Sequence, residues 1–86
     1  MNFIPVRSVS QLMDLSKRKQ VRCFIQLYYG ARSTKRIRYN PDKGLFRIIN
    51  EIDGSRQELT ATELMNNRLT NIGQALTAGA LYHDAA

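Results

Sequence analysis

The chain is predicted to be a small α+β domain: a meander of three to four antiparallel strands with one N-terminal helix and two C-terminal helices packed on one face. Three observations predict it. Apolar and polar residues alternate from Val21 onward, turn-forming residues separate the alternating runs, and a helix-capping pattern stands on either side of the strand region. At 86 residues the whole chain, 1–86, is read as one basic domain with a modest core.

Ser8-Val9-Ser10-Gln11 has the form of a capping box, and Val9, Leu12, Met13 and Ser16 follow at helical spacing, so the first helix is expected over about 9–19. Lys17, Arg18 and Lys19 would then occupy its last turn, where cations suit the negative end of the helix dipole. From Val21 the period becomes two. Val21, Cys23, Ile25, Leu27 and Tyr29 share one face of a strand, with Arg22, Phe24, Gln26 and Tyr28 on the other.

Gly30-Ala31-Arg32 is expected to turn the chain, pairing Tyr29 with Ser33, Ile25 with Ile37 and Cys23 with Tyr39. Pro41-Asp42-Lys43-Gly44 provides a fixed φ first and a residue tolerant of positive φ last, as a four-residue hairpin loop requires. Asn40 then pairs with Leu45, Tyr39 with Phe46 and Ile37 with Ile48, so the apolar sides of both strands coincide. Ile52-Asp53-Gly54-Ser55 predicts a third hairpin, pairing Glu51 with Arg56 and Ile48 with Leu59, and a short strand over about 56–59. Thr60-Ala61-Thr62-Glu63 is a second capping box, opening a short helix to about Asn66. A last helix is expected from about Ile72 to Tyr82, packing through Ile72, Ala75, Leu76, Gly79 and Ala80.

Charge is concentrated. Eight of the 22 residues from Lys17 to Arg38 are cationic and none is acidic. Residues 1–50 carry 11 basic and 2 acidic side chains, net +9, while residues 51–86 are net −3. Such a chain attracts polyanions on one side. With the helices over one sheet face, the other is expected to be open and to present Arg22, Phe24, Tyr28, Arg36 and Arg38, helped by Lys17, Arg18, Lys19, Arg32 and Lys35. Arginine outnumbers lysine nine to four, which favours forked phosphate contacts. Cations beside aromatic rings on a sheet suit nucleic acid, because guanidinium groups pair phosphates and rings stack bases. Arg47 falls on the face of Leu45, Ile49 and Glu51, and Glu51 weakens the positive field there.

The same residues allow other readings. Phe24 and Tyr28 can pack beneath the terminal segment Asn2-Phe3-Ile4-Pro5-Val6, leaving the arginines as a solvated edge that discourages aggregation. An arginine and tyrosine surface also suits docking on an acidic protein. Leu59–Leu64 and Thr70–Leu76 superficially resemble a helix-turn-helix in which Asn71, Gln74 and Thr77 face bases, but this half is net negative with Arg68 its nearby cation. Self-association through an edge strand or the Gly79/Ala80 helix face is a further possibility.

Catalysis has little support in the sequence. His83 is the single histidine and is expected in a terminal helical turn; Asp42 and Asp53 are turn formers; Glu51 and Glu58 suit cross-strand charge pairing. No enzyme activity, metal or cofactor is expected, since no ligand spacing or glycine-rich phosphate loop is present. Cys23 has no partner for an internal bridge and lies in an apolar stretch. The N-terminal residues show no leader pattern and no stretch approaches ~18 apolar residues, so the expectation is a soluble, cytoplasmic protein with no membrane partner.

Overall fold

The computed structural model describes residues 3–26 and 32–84. In chain order the elements are β1 (Phe3–Pro5), α1 (Val9–Ser16), β2 (Val21–Gln26), β3 (Arg32–Asn40), β4 (Leu45–Asn50), β5 (Arg56–Leu59), α2 (Ala61–Leu64), α3 (Ile72–Ala78) and β6 (Leu81–Asp84). The strands form one six-stranded antiparallel sheet in the order β1-β6-β2-β3-β4-β5. The α+β class stands, but the expected meander of three to four strands is corrected to six.

Both additional strands come from the ends of the described chain. The last helix was expected to reach Tyr82; it stops at Ala78 because Gly79 takes the left-handed conformation, φ 69°. Its N–H donates to Leu76 O at 3.3 Å, and that of Ala80 donates to Ala75 O at 2.8 Å, closing the helix end. The chain is thereby released to run as β6 alongside β2, with Leu81 opposite Ile25 and His83 opposite Cys23. His83 is thus a buried strand residue rather than part of a terminal helical turn. Gly79 lies beyond the helix, so it contributes no helix face for self-association. β1 pairs with the other edge of β6, Ile4 opposite His83.

Alternation assigns the faces. Val21, Cys23, Ile25, Ile37, Phe46, Ile48, Leu59 and Leu81 point to one side, where they form a single buried cluster with Leu12 of α1, Leu64 of α2, and Ile72, Ala75 and Leu76 of α3. All three helices therefore bury their apolar residues on the same sheet face.

Two registers differ from expectation by even steps. Val21, Cys23 and Ile25 lie opposite Ile37, Lys35 and Ser33, four residues from the predicted pairing of β2 with β3. Phe46, rather than Ile48, lies opposite Leu59. A slip of even length keeps every side chain on its face, so the hydrophobic pattern does not oppose it. The expected pairing of Tyr29 lies outside the described residues. The register of β3 with β4 is the predicted one, Ile37 opposite Ile48 and Tyr39 opposite Phe46.

The slip at β5 has a local cause. Asn50 caps its hairpin as Asn40 caps the preceding one. Asn40 Oδ1 accepts from the N–H of Asp42 and Lys43, and Gly44 N–H donates to Asn40 O at 2.8 Å. Asn50 Oδ1 accepts from Ile52 N–H, and Gly54, at φ 72°, donates to Asn50 O at the same 2.8 Å. The loop consequently takes four residues, Glu51 to Gly54, rather than two.

The helices carry smaller corrections. α1 ends at Ser16, whose buried hydroxyl donates back to Leu12 O at 2.6 Å, and Lys17 is its C-cap. Arg18 and Lys19 therefore lie between α1 and β2 instead of in the last helical turn. At its start Ser8 Oγ accepts from Gln11 N–H, while Gln11 Oε1 accepts from Arg7 N–H. Thr60 and Glu63 make the reciprocal capping box, yet α2 is only one turn long, too short for the first helix of a helix-turn-helix.

Candidate nucleic-acid interface

The sheet face turned away from the helices carries Arg22 and Phe24 of β2, Arg36 and Arg38 of β3, Arg47 of β4, and Arg56 and Glu58 of β5. Strand pairing sets four of the arginines in two opposed pairs: Arg22 faces Arg36, and Arg38 faces Arg47. Like charges directly opposite one another are unfavourable unless an anion lies between them.

The two pairs differ in this respect. Glu51, placed at the start of its loop by the Asn50 cap, accepts from Arg22 Nε at 2.9 Å and Nη2 at 3.1 Å and from Arg36 Nε at 2.9 Å. Its N–H is fixed by donation to Thr34 O at 3.3 Å. Hydrogen bonding from Arg22, then Arg36, holds its carboxyl below the usual carboxylate range, and the same bond holds Arg22 more firmly protonated. Arg22 also lies over the Phe24 ring, 5.0 Å from its centroid.

Arg38, by contrast, is within 4.0 Å of no carboxylate among the described residues; its Nη2 donates to Lys17 O at the end of α1, at 3.3 Å. Arg47 Nη2 approaches Glu58 Oε1 at 3.9 Å, a distance too long for a hydrogen bond. Around this second pair lies a basin of about 440 Å³ that Lys17, Arg38, Lys43 and Arg47 line together with Asp42 and Glu58.

Phe24 is on the open face but is only 5% exposed. Phe3 of β1 packs on it edge-to-face, centroids 4.6 Å apart, so the terminal segment covers the ring. Stacking of a base on Phe24 is therefore unavailable in this arrangement. Tyr28 lies outside the described residues. Arg32 is in β3 opposite Gln26. Lys35 falls on the helix-covered side, opposite Cys23 and Asn50, away from the arginine pairs. Lys19 lines a hollow with Arg22 and Asp84, and Arg18 is exposed.

Arg56 of β5 joins the face and Lys43 of the β3–β4 loop the rim of the basin, beyond the residues first singled out, while Arg47, expected on the Arg38 side of the sheet, lies opposite Arg38. The β3–β4 register, readable from Ile37 and Ile48, was the signal for Arg47. Among the described residues no group of three His, Cys, Asp or Glu side chains is arranged to hold a metal ion, and no helix is long and apolar enough to cross a membrane. Burial pushes the Cys23 thiol up to about 12, which removes it as a nucleophile. The fold and this face define a small α+β domain with a helix-free, arginine-bearing sheet. No family model, curated protein or solved structure gives a significant match to the chain.

Proposed function

We propose that the chain is a small non-enzymatic module that binds nucleic acid by phosphate contact through the arginines of its open sheet face. The observation that carries this reading is the charge of that face: Arg22, Arg36, Arg38, Arg47 and Arg56 stand on it against Glu51, Glu58 and Asp84, with the helices packed on the opposite face. Forked guanidinium groups on a rigid sheet suit phosphate oxygens, and the release of condensed counterions drives such binding. Cover over Phe24 turns the reading away from base stacking and toward the backbone. Single strands then gain no stacking advantage over a duplex. The proposed compartment is the cytoplasm, consistent with a lone cysteine that has no internal disulfide to form.

Fluorescence anisotropy with labelled single-stranded RNA, single-stranded DNA and duplex DNA across a salt series tests the proposal. Micromolar binding is expected, with a log-log salt slope of about −0.7 to −0.9 for each phosphate contacted. Absence of binding to all three probes at ~50 mM salt would overturn it, since non-specific contacts are strongest there. The covered Phe24 favours one second reading, an acidic protein docking on the same arginines, which would give a defined stoichiometry and a shallower salt slope.

A further inference from the structure

The open face contains its own example of how an opposed arginine pair is satisfied. In the first pair, the oxygens of Glu51 lie between Arg22 and Arg36, at 2.9 to 3.1 Å from three guanidinium nitrogens. The second pair, Arg38 opposite Arg47, repeats the cross-strand arrangement on the same two-sided sheet without an internal carboxylate in the bridging position. From this contrast we propose that Arg38 and Arg47 form a specific seat for one backbone phosphodiester of a nucleic acid, whose oxygens take the bridging role that Glu51 takes in the first pair.

Surrounding chemistry fits an anion of this size and charge. Lys17 and Lys43 bring two further ammonium groups to the rim of the basin. Among the described residues Lys17 Nζ is held by an exposed contact with Asp14 at 3.5 Å, weak enough for the ammonium to turn inward. Arg38 is already oriented by donation to Lys17 O, which fixes one end of its fork and reduces the ordering needed when a ligand arrives. Asp42 and Glu58 stand on the same rim and oppose a second phosphate, so the seat takes one phosphate group and the rest of the strand runs outward over the sheet.

The inference rests on the nucleic-acid reading, and its division of labour separates it from that reading. The Arg22/Arg36 pair is occupied by Glu51 and serves the fold; the Arg38/Arg47 pair serves the ligand. Anisotropy titrations of a fluorescein-labelled oligonucleotide compare the native chain with Arg38→Gln/Arg47→Gln and with Arg22→Gln/Arg36→Gln, each checked for folding by circular dichroism. The Arg38/Arg47 variant is expected to bind about tenfold more weakly, with a salt slope shallower by one contact, ~0.7 to 0.9. Its melting temperature should fall less than that of the Arg22/Arg36 variant, because removal of an unfavourable like-charge contact offsets the loss of the Arg38 bond to Lys17 O. The Arg22/Arg36 variant is expected to lose thermal stability and little affinity. A folded Arg38/Arg47 variant that binds like the native chain overturns the inference while leaving the function standing. Failure of the native chain to bind overturns the function, and the inference with it. Should the double variant not fold, Lys43→Gln and Arg47→Gln, tested singly, give the same comparison from exposed side chains.

Discussion

Glu51 sits where the fold draws on guanidinium groups of the proposed binding face. Its carboxylate ties a loop to two strands through Arg22 and Arg36, although both arginines remain about half exposed, at 45% and 54% of their side-chain area. Exposure keeps the worth of the network small, because solvent screens each pair. The effect on pH follows from the direction of the shift. A carboxyl held below its ordinary value stabilises the fold fully above that value, about 4.3, and the contribution disappears as the pH falls through the lowered folded value. Glu51→Gln is therefore expected to lower stability by about 1 kcal/mol at pH 7, measured by urea unfolding, and the difference should vanish in acid. A difference that persisted undiminished in strong acid would show that the glutamate acts through shape rather than charge. The same substitution releases Arg22 and Arg36 and should tighten binding to a labelled oligonucleotide.

At the scale of elements, α3 packs closely on the end of α2 through Gly73, in its first turn. A methyl group there would lie 2.8 Å from Met65 Cα and 2.9 Å from Met65 O, both backbone atoms at the end of α2. Helix propensity alone favours alanine over glycine by about 1 kcal/mol, whereas overpacking against backbone costs about 1 to 3 kcal/mol. The contact should decide the sign: Gly73→Ala is expected to be net destabilising in a urea melt, and a stabilised variant would mean that α2 moves aside at no cost. Which elements were legible in the sequence follows from similar competitions between local signals. The β3–β4 hairpin was readable because Pro41, Gly44 and the pairing of Ile37 with Ile48 all specify one register. The β4–β5 loop was missed by two residues although Asn50 precedes Gly54 by the same interval as Asn40 precedes Gly44, since Asp53-Gly54 also suits a shorter turn. β6 was hidden because Ala78, Ala80 and Leu81 are acceptable in a helix, and only Gly79 marks the stop. β1 has three residues, one of them Pro5, too few for alternation to register. Of the site, the identity of the arginine face was readable from period two. The bridging of Arg22 and Arg36 by a loop residue was not, because it depends on the register that the Asn50 cap sets.

For the molecule as a whole, the order β1-β6-β2 makes the last strand an interior one. β6 is tied to its neighbours on both sides: Val6 N–H, just after β1, donates to Leu81 O at 2.9 Å, and Gln26 N–H of β2 donates to Ala80 O, just before β6, at 3.0 Å. Leu81, 1% exposed, lies beside Ile25 in the common core. The open face depends on this closure, since β1 carries the Phe3 that covers Phe24, and Arg22 packs on that ring. Leu81→Ala should cost about 2 to 4 kcal/mol, against less than ~1 kcal/mol for Ile4→Ala on the exposed edge strand. Cys23, opposite His83 and buried, reports how the loss is distributed. If the sheet opens only as a unit, the rate of Cys23 labelling by a thiol reagent in native buffer should rise by the factor that urea melts assign to the lost stability, on the order of a hundredfold for about 3 kcal/mol. If β6 instead detaches together with β1 while the rest stays folded, Cys23 will label in both chains well faster than the unfolded fraction from the melts allows. That result would identify the β1–β6 pair as a separately opening unit, whose release uncovers the aromatic ring of Phe24 on the arginine face.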